Sequence, residues 1–390
     1  MEPKIRFKGF EGEWKAPLFS EMVERISASG QAGMLPGVEF EDIASGEGCF
    51  NKNIYQKECH KYGKLFYEGD ILFGKLRPYL KNIILADFNG VAIGDFWVLR
   101  SKGLDEKYLY TLVNSESFLK VANISSGSKM PRADWNLVST TKFVVPSAKD
   151  EQKAIGKYFT SLDSQISAST SRLASLKQMK AASLQAMFPQ EGETVPKIRF
   201  KGFEEEWKKV SFKDFTFHAG TKNRDNLPLE SYSISNEFGF KPQNEQFENG
   251  GTMTQADKRM YYIVSPNSFA YNPARINVGS LGYYEGKEDV IVSSLYEVFK
   301  TDDTICDKFL LYWFKTDIFQ KMIEQFQEGG VRLYFFYDKM CKCSLMRPSL
   351  AEQQAIASYF TSLDRQISLQ SQRLEKLKQI KSACLDKMFV

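Results

Sequence analysis

The chain has 390 residues, of which 43% are hydrophobic and 26% charged, and its formal net charge is +4. This composition is typical of a soluble globular protein of two to three domains that can bury a sizeable core. No apolar run is long enough to span a bilayer, and the polar, basic start MEPKIRFKGF is unlike a signal peptide. We therefore expect a cytoplasmic protein. The small positive charge permits a nucleic-acid partner without requiring one.

The chain begins with a basic and aromatic lead segment that recurs halfway along it. Residues 3–14, PKIRFKGFEGEW, and residues 196–207, PKIRFKGFEEEW, are identical at eleven of twelve positions. One interpretation is a DNA-binding patch in which Lys4, Arg6 and Lys8 lie beside aromatic rings. The alternation of polar and apolar residues instead favours a β-strand, and its near-identity in both copies favours a scaffold. We expect a scaffold strand.

Each lead segment is followed by a body, at about residues 15–146 and 208–347, with short β-like runs broken by Gly, Asn and Pro. The bodies have diverged so far that only landmarks align, among them Arg77 with Arg275. Basic residues near Asn and Tyr in such loops suit a polyanion, because Arg and Lys donate to guanine or neutralise phosphates and Asn pairs with adenine. Any one of them is also explained as a solvated surface residue. The candidate DNA-binding residues are Lys75, Arg77, Lys129, Arg132, Lys222, Asn223, Arg224, Lys258, Arg259, Arg275 and Arg332.

A long amphipathic helix follows each body, from Glu151 to Phe188 and from Glu352 to Phe389. The two copies align without a gap at a shift of 201 positions, and twelve of their first sixteen residues are identical. Apolar residues recur every three or four positions, as in a coiled-coil seam, and both copies have a polar residue at one seam position, Ser169 and Gln370. The predicted seam residues are Ile155, Phe159, Leu162, Ile166, Leu173, Leu176, Ile356, Phe360, Leu363, Ile367, Leu374 and Leu377.

Such a helix is about 55 Å long at 1.5 Å per residue, and so narrow an apolar stripe needs a partner of equal length. We expect the partner to be the twin helix of the same chain. Packing of each helix on its own body, or an intermolecular dimer, are the alternatives. Capping boxes at Ser147 with Asp150 and at Ser349 with Glu352 are expected to start the two helices.

These repeats predict an α+β protein with two similar globular heads joined by an antiparallel coiled coil of two long helices, and with an internal pseudo-twofold symmetry. The expected domains are residues 1–150, a first recognition head with its lead strand; 151–190, a central spacer helix; 191–348, a second head with the repeated lead strand; and 349–390, a C-terminal spacer helix. Because the last helix ends where another lead segment would begin, the layout is effectively cyclic.

Motifs for catalysis are incomplete throughout the sequence. Glu285 and Lys287 form half of a metal-dependent nuclease site, without an aspartate on a matched strand. The sequence at 271–274, YNPA, lacks the second proline and the aromatic residue with which an amino-methyltransferase holds a flipped base. No Gly-rich cofactor loop or phosphate-binding loop is present. The six cysteines have no C-x-x-C spacing, and the two histidines lie far apart in sequence, which favours reduced structural thiols. We expect a non-catalytic chain without metal or cofactor.

The twin EQ-x-AI-x-x-YFTSLD-x-QI helices, the PKIRFKGFE-x-EW lead segments and the GDIL, NPAR and Pro-Ser landmarks resemble the specificity subunit of Type I restriction-modification systems over nearly the whole chain. The resemblance implies that each body is a target-recognition domain for one half of a bipartite, asymmetric double-stranded DNA sequence. It implies that the helices are a spacer that also docks two methyltransferase subunits, for which Lys177, Lys180, Lys378 and Lys381 are candidates. S-adenosylmethionine would then belong to those subunits, and ATP and Mg²⁺ to separate restriction subunits.

Two other interpretations of the sequence stay open. The chain could be a duplicated coiled-coil adaptor whose bodies bind proteins, or a solitary remnant whose partner subunits are lost. DNA binding and protein binding differ in their salt dependence, because phosphate neutralisation releases counterions and a mainly apolar contact does not.

Overall fold

The computed structural model describes residues 3–33, 35–124, 130–236, 239–246 and 257–389. The chain divides into two compact units: unit 1 comprises Met1–Leu173 and Leu369–Val390, and unit 2 comprises Ala174–Ser368. Each unit therefore contains one lead segment, one body and a part of each long helix. Within the described ranges, no helix has the length and the apolar character needed to cross a membrane.

Unit 1 contains two main sheets, in the strand orders β1-β10-β7-β8 and β2-β6-β9-β3. Pairing is antiparallel except between β3 and β9. The strands are β1 (Val23–Ile26), β2 (Ser29–Gln31), β3 (Gly37–Val38), β4 (Ile43–Ala44), β5 (Cys49–Phe50), β6 (Tyr62–Phe66), β7 (Ile71–Gly74), β8 (Ile83–Leu85), β9 (Gly90–Ala92) and β10 (Phe96–Ser101). The helices are α1 (Phe19–Met22), α2 (Glu106–Asn114), α3 (Glu116–Ala122), α4 (Trp135–Thr140) and the long α5 (Lys149–Ala186).

Strand β7, with the sequence ILFG, lies between two cores of unit 1. Its alternate residues Ile71 and Phe73 belong to the main core with the helices, whereas Leu72 belongs to the smaller core between the sheets. The strand is therefore buried on both faces, which explains its continuous apolar run. Phe73 packs edge-on against Phe118 of α3 at 5.5 Å between ring centroids.

Unit 2 repeats this arrangement with different lengths. Its strands are β11 (Lys208–Ser211), β12 (Thr216–His218), β13 (Thr221–Lys222), β14 (Tyr232–Ser235), β15 (Gly239–Pro242), β16 (Tyr262–Val264), β17 (Ser268–Tyr271), β18 (Leu281–Tyr284), β19 (Val290–Val292), β20 (Glu297–Thr301) and β21 (Ser344–Arg347). Its helices are α6 (Phe212–Phe215), α7 (Gln243–Gln246), α8 (Asp307–Trp313), α9 (Asp317–Phe326), α10 (Tyr337–Met340) and the long α11 (Leu350–Met388). The sheet order β12-β20-β17-β18 corresponds to β1-β10-β7-β8 of unit 1, which confirms two similar heads.

In unit 1 the first part of α5 packs antiparallel against the last part of α11. The ammonium of Lys381 contacts the carboxylate of Asp163 at 2.5 Å. Farther along α5, the backbone carbonyl of Ser169 accepts a hydrogen bond from the Gln370 side chain at 3.2 Å. The polar seam position shared by both helices thus pairs with its own counterpart.

In unit 2 the same contacts recur with the roles of the helices exchanged. Lys180 of α5 contacts Asp364 of α11 at 2.5 Å, and the hydroxyls of Ser183 and Tyr359 lie 2.9 Å apart. The antiparallel arrangement predicted from the repeat is therefore confirmed in each unit. Among the seam residues, Ile155, Phe159, Leu162, Leu176, Ile356, Phe360 and Leu363 are buried, and Ile166, Leu173, Ile367, Leu374 and Leu377 are partly buried.

The first seam residues of each helix belong to the core of a body. Ile155, Phe159 and Leu162 are part of the main core of unit 1, together with Phe389 at the end of α11. The ring of Phe389 stacks on Tyr108 of α2 at 5.8 Å between centroids. Packing on its own body and pairing with the twin helix, which the sequence presented as alternatives, therefore both occur in unit 1.

The lead segments are not strands, so that part of the expectation is wrong. Residues 3–13 and 196–206 form turns and bends. Gly9 and Gly12 have φ angles of 92° and 95°, a left-handed backbone that interrupts a β-ladder. The side chain of Arg6 instead binds both oxygens of Glu151, at the start of α5, at 2.7 and 2.9 Å.

The lead segment of unit 2 repeats these contacts. Arg199 binds Glu352, at the start of α11, with its Nε 2.7 Å from Oε1. The backbone amide of Ile198 donates to Ala186 near the end of α5 at 2.9 Å. Its counterpart Ile5 donates to Lys387 near the end of α11 at 3.1 Å. The lead segments thus act as clamps on the helix ends, which supports the scaffold interpretation.

The predicted helix starts are observed in part. Ser349 Oγ accepts the amide of Glu352 at 3.4 Å, as a capping side chain does. Ser147 instead donates its hydroxyl to the carbonyl of Glu13 at 3.1 Å, and α5 begins only at Lys149.

Candidate nucleic-acid interface

In unit 1 the chain between β7 and β8 forms a tight turn beside the loop that precedes α4. The turn is a 3₁₀-helix, Pro78–Leu80. The amide of Arg77 donates to the carbonyl of Pro131 at 2.8 Å, and Lys75 accepts from Ala133 at 2.9 Å. These hydrogen bonds bring together two segments that the sequence marked as basic.

The charges of this region are partly neutralised by one carboxylate, that of Asp95. Lys75 Nζ lies 3.3 Å from it, and the guanidinium of Arg132 lies 3.0 Å from it. Arg77 is exposed and has no carboxylate at ion-pair distance within the described ranges. The remaining candidate of unit 1, Lys129, lies outside the described residues.

In unit 2 a hydrogen bond also joins the equivalent two segments, the turn between β17 and β18 and the loop that precedes α10. The amide of Phe335 donates to the carbonyl of Pro273 at 3.0 Å, as Ala133 does to Lys75 in unit 1. Here the segments enclose a cavity of about 910 Å³. Its walls are polar and aromatic, a composition suited to base edges and base faces. The cavity is lined by Tyr262, Asn272, Pro273, Ala274, Arg275, Asn277, Ser294, Leu295, Tyr296, Glu297, Val331, Arg332, Leu333, Tyr334 and Phe336.

The two predicted arginines of this cavity, Arg275 and Arg332, lie on opposite segments. Both are exposed, and neither forms an ion pair with any described carboxylate. Next to Arg332 the rings of Tyr334 and Phe336 stack at 5.5 Å with an angle of 3° between their planes. Phe336 is exposed and Tyr334 half-buried. Unpaired guanidinium groups can contact phosphates or guanine, and accessible aromatic rings can stack on bases.

One acidic group, Glu297, also lines the cavity. Burial raises the pKa of its carboxyl, although His218 at 3.4 Å opposes the shift. A carboxylate in a groove-reading site accepts from the amino group of cytosine and repels phosphate. The cavity therefore combines donors and an acceptor, as discrimination between base pairs requires.

The other basic candidates of unit 2 surround strand β16. Lys222 Nζ lies 4.0 Å from the centre of the Tyr262 ring and donates to the carbonyl of Met260 at 3.1 Å. Since Tyr262 lines the cavity, Lys222 is next to it. Arg224 is exposed and Lys258 half-buried, and the guanidinium of Arg259 lies 3.9 Å from Asp257.

Asn223 does not fit its predicted role as a reader of adenine. It is 1% exposed. Its side chain donates to the carbonyl of Leu227 at 3.1 Å and accepts the amide of the same residue at 2.9 Å. Both edges of the amide are therefore used in closing its own turn. The residue was misinterpreted because Lys-Asn-Arg has the composition of a reading loop, whereas burial depends on how the turn folds back.

Sequence reasoning also missed cavity residues that carry useful chemistry. Asn277 and Tyr334 line the cavity with Arg275 and Arg332. Asn277 follows Arg275 by two positions, a spacing that was available as a signal. No signal in the sequence identified Tyr334, because only the hydrogen bond from Phe335 to Pro273 shows which segment faces the cavity.

Neither incomplete catalytic motif is completed by the structure. Glu285 pairs with Lys308 at 2.9 Å, and the side chain of Asn272 accepts the amide of Ala274 at 3.0 Å within its own turn. In the described part of the chain, no three His, Cys, Asp or Glu side chains lie together in a set that could hold a metal ion.

Comparisons with known proteins agree with this architecture. Residues 204–379 match the family model of the Type I restriction modification DNA specificity domain. The Type I restriction enzyme MjaVIII specificity subunit of Methanocaldococcus jannaschii is 21% identical over 74% of this chain and 70% of its own length. The EcoDI specificity subunit of Escherichia coli is 24% identical over 29% of this chain, and the match spans only 27% of that subunit.

Two solved structures share the fold. The Type I restriction-modification system S subunit from M. genitalium superposes with a TM-score of 0.63 at 12% identity, over 100% of this chain and 99% of that one. A chain from a study of complex assembly and conformational transition of the Type I R-M system gives a TM-score of 0.51 at 17% identity, over 97% and 98% of the two chains. The resemblance seen in the sequence is thereby confirmed: the chain is similar to the specificity subunits of Type I restriction-modification systems.

Proposed function

We propose that this chain is the sequence-specific DNA-binding subunit of a Type I restriction-modification complex, acting in the cytoplasm. Unit 1 and unit 2 would each read one half of a bipartite target. The observation that carries the proposal is that one duplicated frame holds two different polar surfaces at equivalent places. In unit 1, Lys75 and Arg132 share one carboxylate, that of Asp95. In unit 2, Arg275 and Arg332 face an open cavity.

Two different reading surfaces on a common frame favour an asymmetric DNA target. Donors and acceptors at base edges distinguish base pairs, so a change in their pattern changes the sequence that is read. The frame itself is the same in both units: Arg6 with Glu151 and Arg199 with Glu352 have the same Nε to Oε1 distance of 2.7 Å. The two half-sites would therefore differ in sequence.

We infer that the chemistry belongs to other subunits. Two methyltransferase subunits would bind S-adenosylmethionine, and restriction subunits would use ATP and Mg²⁺. Support for a duplicated partner comes from exposed residues of the long helices. Ser161 and Ser362 occupy the same place in the two repeats and are both exposed. Packing does not require identity at exposed positions, so a shared partner surface is the better reason for it.

In unit 2 a groove beside Ser362 would suit such a partner. A cavity of about 430 Å³ is lined by Cys306, Lys308, Gln354, Ala357, Ser358, Thr361, Ser362 and Arg365. Of the lysines proposed from the sequence, Lys177 and Lys378 are exposed. Lys180 and Lys381 are instead engaged with Asp364 and Asp163, so they stabilise the helix pair and are poor candidates for docking.

The function is tested by mapping methylated bases in a host that expresses this chain with the neighbouring methyltransferase subunit. We expect a bipartite motif with one modified adenine in each half. Replacing Arg275 and Arg332 together by alanine should alter or abolish recognition of one half only. The exposed pair Lys4 and Lys8, replaced in the same way, serves as the control and should leave the motif unchanged.

The absence of new methylation despite a soluble complex would contradict the proposal. A salt titration of binding to duplex DNA would then separate the remaining interpretations. Affinity that falls steeply with salt points to a DNA-binding remnant without active partners, and salt-independent binding to a protein points to an adaptor.

A further inference from the structure

Two long basic side chains of unit 1 sit on backbone that usually selects glycine. Among the described residues, the non-glycine positions with positive φ are Arg77 at 49°, Lys81 at 52°, Asn226 at 52° and Asn267 at 60°. Asparagine tolerates this left-handed region, whereas most residues with a Cβ avoid it. Arg77 and Lys81 flank the same 3₁₀ turn, Pro78–Leu80.

The equivalent turn of unit 2 shows that glycine is compatible with this place in the fold. It is the 3₁₀-helix Ile276–Val278, between β17 and β18, and it ends at Gly279 with a φ of 91°. In unit 1 the turn between β7 and β8 ends in the same left-handed conformation, but at Lys81. A lysine is therefore present where the other copy of the fold has the unstrained residue.

The backbone of the unit 1 turn is fixed by hydrogen bonds on both sides. The carbonyl of Lys81 accepts the amides of Gly46 at 3.2 Å and Ile83 at 2.9 Å, and its own amide donates to Pro78 at 2.9 Å. At the other end, Arg77 donates to Pro131 at 2.8 Å. These bonds fix the backbone of the turn, and with it the directions in which the side chains of Arg77 and Lys81 leave the backbone.

The side chains of this turn are free of competing charge. Arg77 and Lys81 are exposed, and within the described ranges no carboxylate lies at ion-pair distance from either. Tyr79 between them is 55% exposed. The neighbouring Lys75 and Arg132 differ, because each lies at ion-pair distance from the carboxylate of Asp95. Strained backbone that displays unpaired cations indicates a function that depends on the side chain.

We propose that Arg77, Tyr79 and Lys81 form a clamp of unit 1 on the DNA backbone, with Lys81 neutralising one phosphate. The proposal rests on the DNA-binding function above and adds the contact that fixes the register of unit 1 on its half-site. Lysine suits this role because its ammonium is a compact charge that carries no base code. Tyr79 can donate its hydroxyl to an adjacent phosphate.

The test replaces Lys81 by glycine, the residue of unit 2, in the full chain with its methyltransferase partner. The probe is a 40-base-pair duplex of random sequence, titrated at several salt concentrations. Loss of one phosphate contact should reduce the slope of log affinity against log salt by about 0.9, and weaken binding about eight-fold at 0.1 M salt. The thermal midpoint should stay equal or rise, because glycine relieves the strained φ.

Two matched variants accompany this change. Lys81→Arg keeps the charge and should retain the wild-type slope. Lys120→Ala removes another exposed lysine of unit 1, which pairs with Glu116 at 3.3 Å, and should also leave the slope unchanged. An unchanged slope and affinity for Lys81→Gly, with salt-dependent binding by the wild type, would overturn the clamp alone. Failure of the wild type to bind DNA with any salt dependence would instead overturn the proposed function.

Discussion

The bond between Arg6 and Glu151 should be a main stabilising contact of unit 1. The guanidinium binds both carboxylate oxygens, at 2.7 and 2.9 Å, and also donates to the carbonyl of Gly12 at 2.9 Å. The side chain of Glu151 is 1% exposed and that of Arg6 17%. Arg6→Met therefore leaves a buried carboxylate without its partner, whereas Arg6→Met combined with Glu151→Leu removes both charges.

Loss of one partner of a buried ion pair costs about 3 to 5 kcal/mol of unfolding free energy, and replacement of both by apolar residues is often close to neutral. Because Arg6 keeps some exposure, we expect the lower end, about 3 kcal/mol. For a unit of this size that corresponds to a fall of roughly 6 to 12 °C in the thermal midpoint. The double variant should recover to within about 1 kcal/mol of the wild type.

A single unfolding free energy is poorly defined for a chain of two units, so hydrogen exchange followed by mass spectrometry is the better assay. Protection should fall in peptides of unit 1 and persist in those of unit 2. Arg199→Met should give the reverse pattern, since Arg199 binds Glu352 in the same way. Lys8→Met, an exposed change in the same lead segment, is the control. Unaltered hydrogen-exchange protection in Arg6→Met, together with weaker DNA binding, would refute the stabilising role of the lead segment. It would favour instead the interpretation of the lead segment as a DNA-binding patch.

Three further predictions concern the length of the long helices, the turn closed by Asn223 and the buried carboxylate of Asp42. One heptad can be inserted into each long helix, between Leu173 and Ala174 and between Ser368 and Leu369, and it adds about 10 Å to each helix. Methylation mapping should then find the unread gap between the half-sites longer by about three base pairs. Altered half-site sequences would contradict the spacer role of the helices. Asn223→Ala should lower stability by about 1 to 3 kcal/mol in urea unfolding, because it leaves the amide of Leu227 unsatisfied, and should not change the methylated motif. The side chain of Asp42 is 0% exposed. Burial raises the pKa of its carboxyl, but hydrogen bonds from Lys52 and Lys57 outweigh this effect, so the pKa lies below its usual value of 3.8. The stabilisation from this carboxylate is therefore present above pH 3.8 and is lost as the pH falls through the folded pKa. The Asp42→Asn variant should be less stable than the wild type at pH 7, and it should lose less stability between pH 5 and pH 3. Equal acid sensitivity of the two proteins would contradict this.

The frame could be predicted from sequence because its signals are duplicated and periodic. The shift of 201 residues that aligns the helices also relates the ion pairs of Asp163 with Lys381 and of Lys180 with Asp364. The lead segments were predicted wrongly as strands for a local reason. Alternation in KIRFKGF has the period of a strand, but Gly9 and Gly12 adopt left-handed φ and Arg6 turns towards a buried carboxylate 145 positions away.

The candidate interface was less accessible to sequence reasoning because it depends on which loops meet. Basic composition identified Arg275 and Arg332, which line one cavity. The same criterion selected Asn223, whose amide is used internally. It also could not distinguish Arg132, held by Asp95, from Arg77, which has no described carboxylate partner. Charge along a sequence does not show pairing in space, and pairing decides whether a cation is available to a phosphate.

The frame and the reading surfaces are under different physical constraints, which explains why one is repeated and the other is not. In unit 2 a covalent linker joins Phe188 to the lead segment, and Ile198 donates to Ala186 at 2.9 Å. In unit 1 the lead segment makes the equivalent bond from Ile5 to Lys387 at 3.1 Å without such a linker. The same junction therefore forms with or without chain connectivity, so its stability must come from the contacts themselves. Loss of Arg6 or Arg199 alone would leave the buried carboxylate of Glu151 or Glu352 unpaired. Changes to Arg275, Lys81 or other exposed loop residues carry no such penalty, so they can alter the sequence that is read or the affinity for DNA without unfolding the frame.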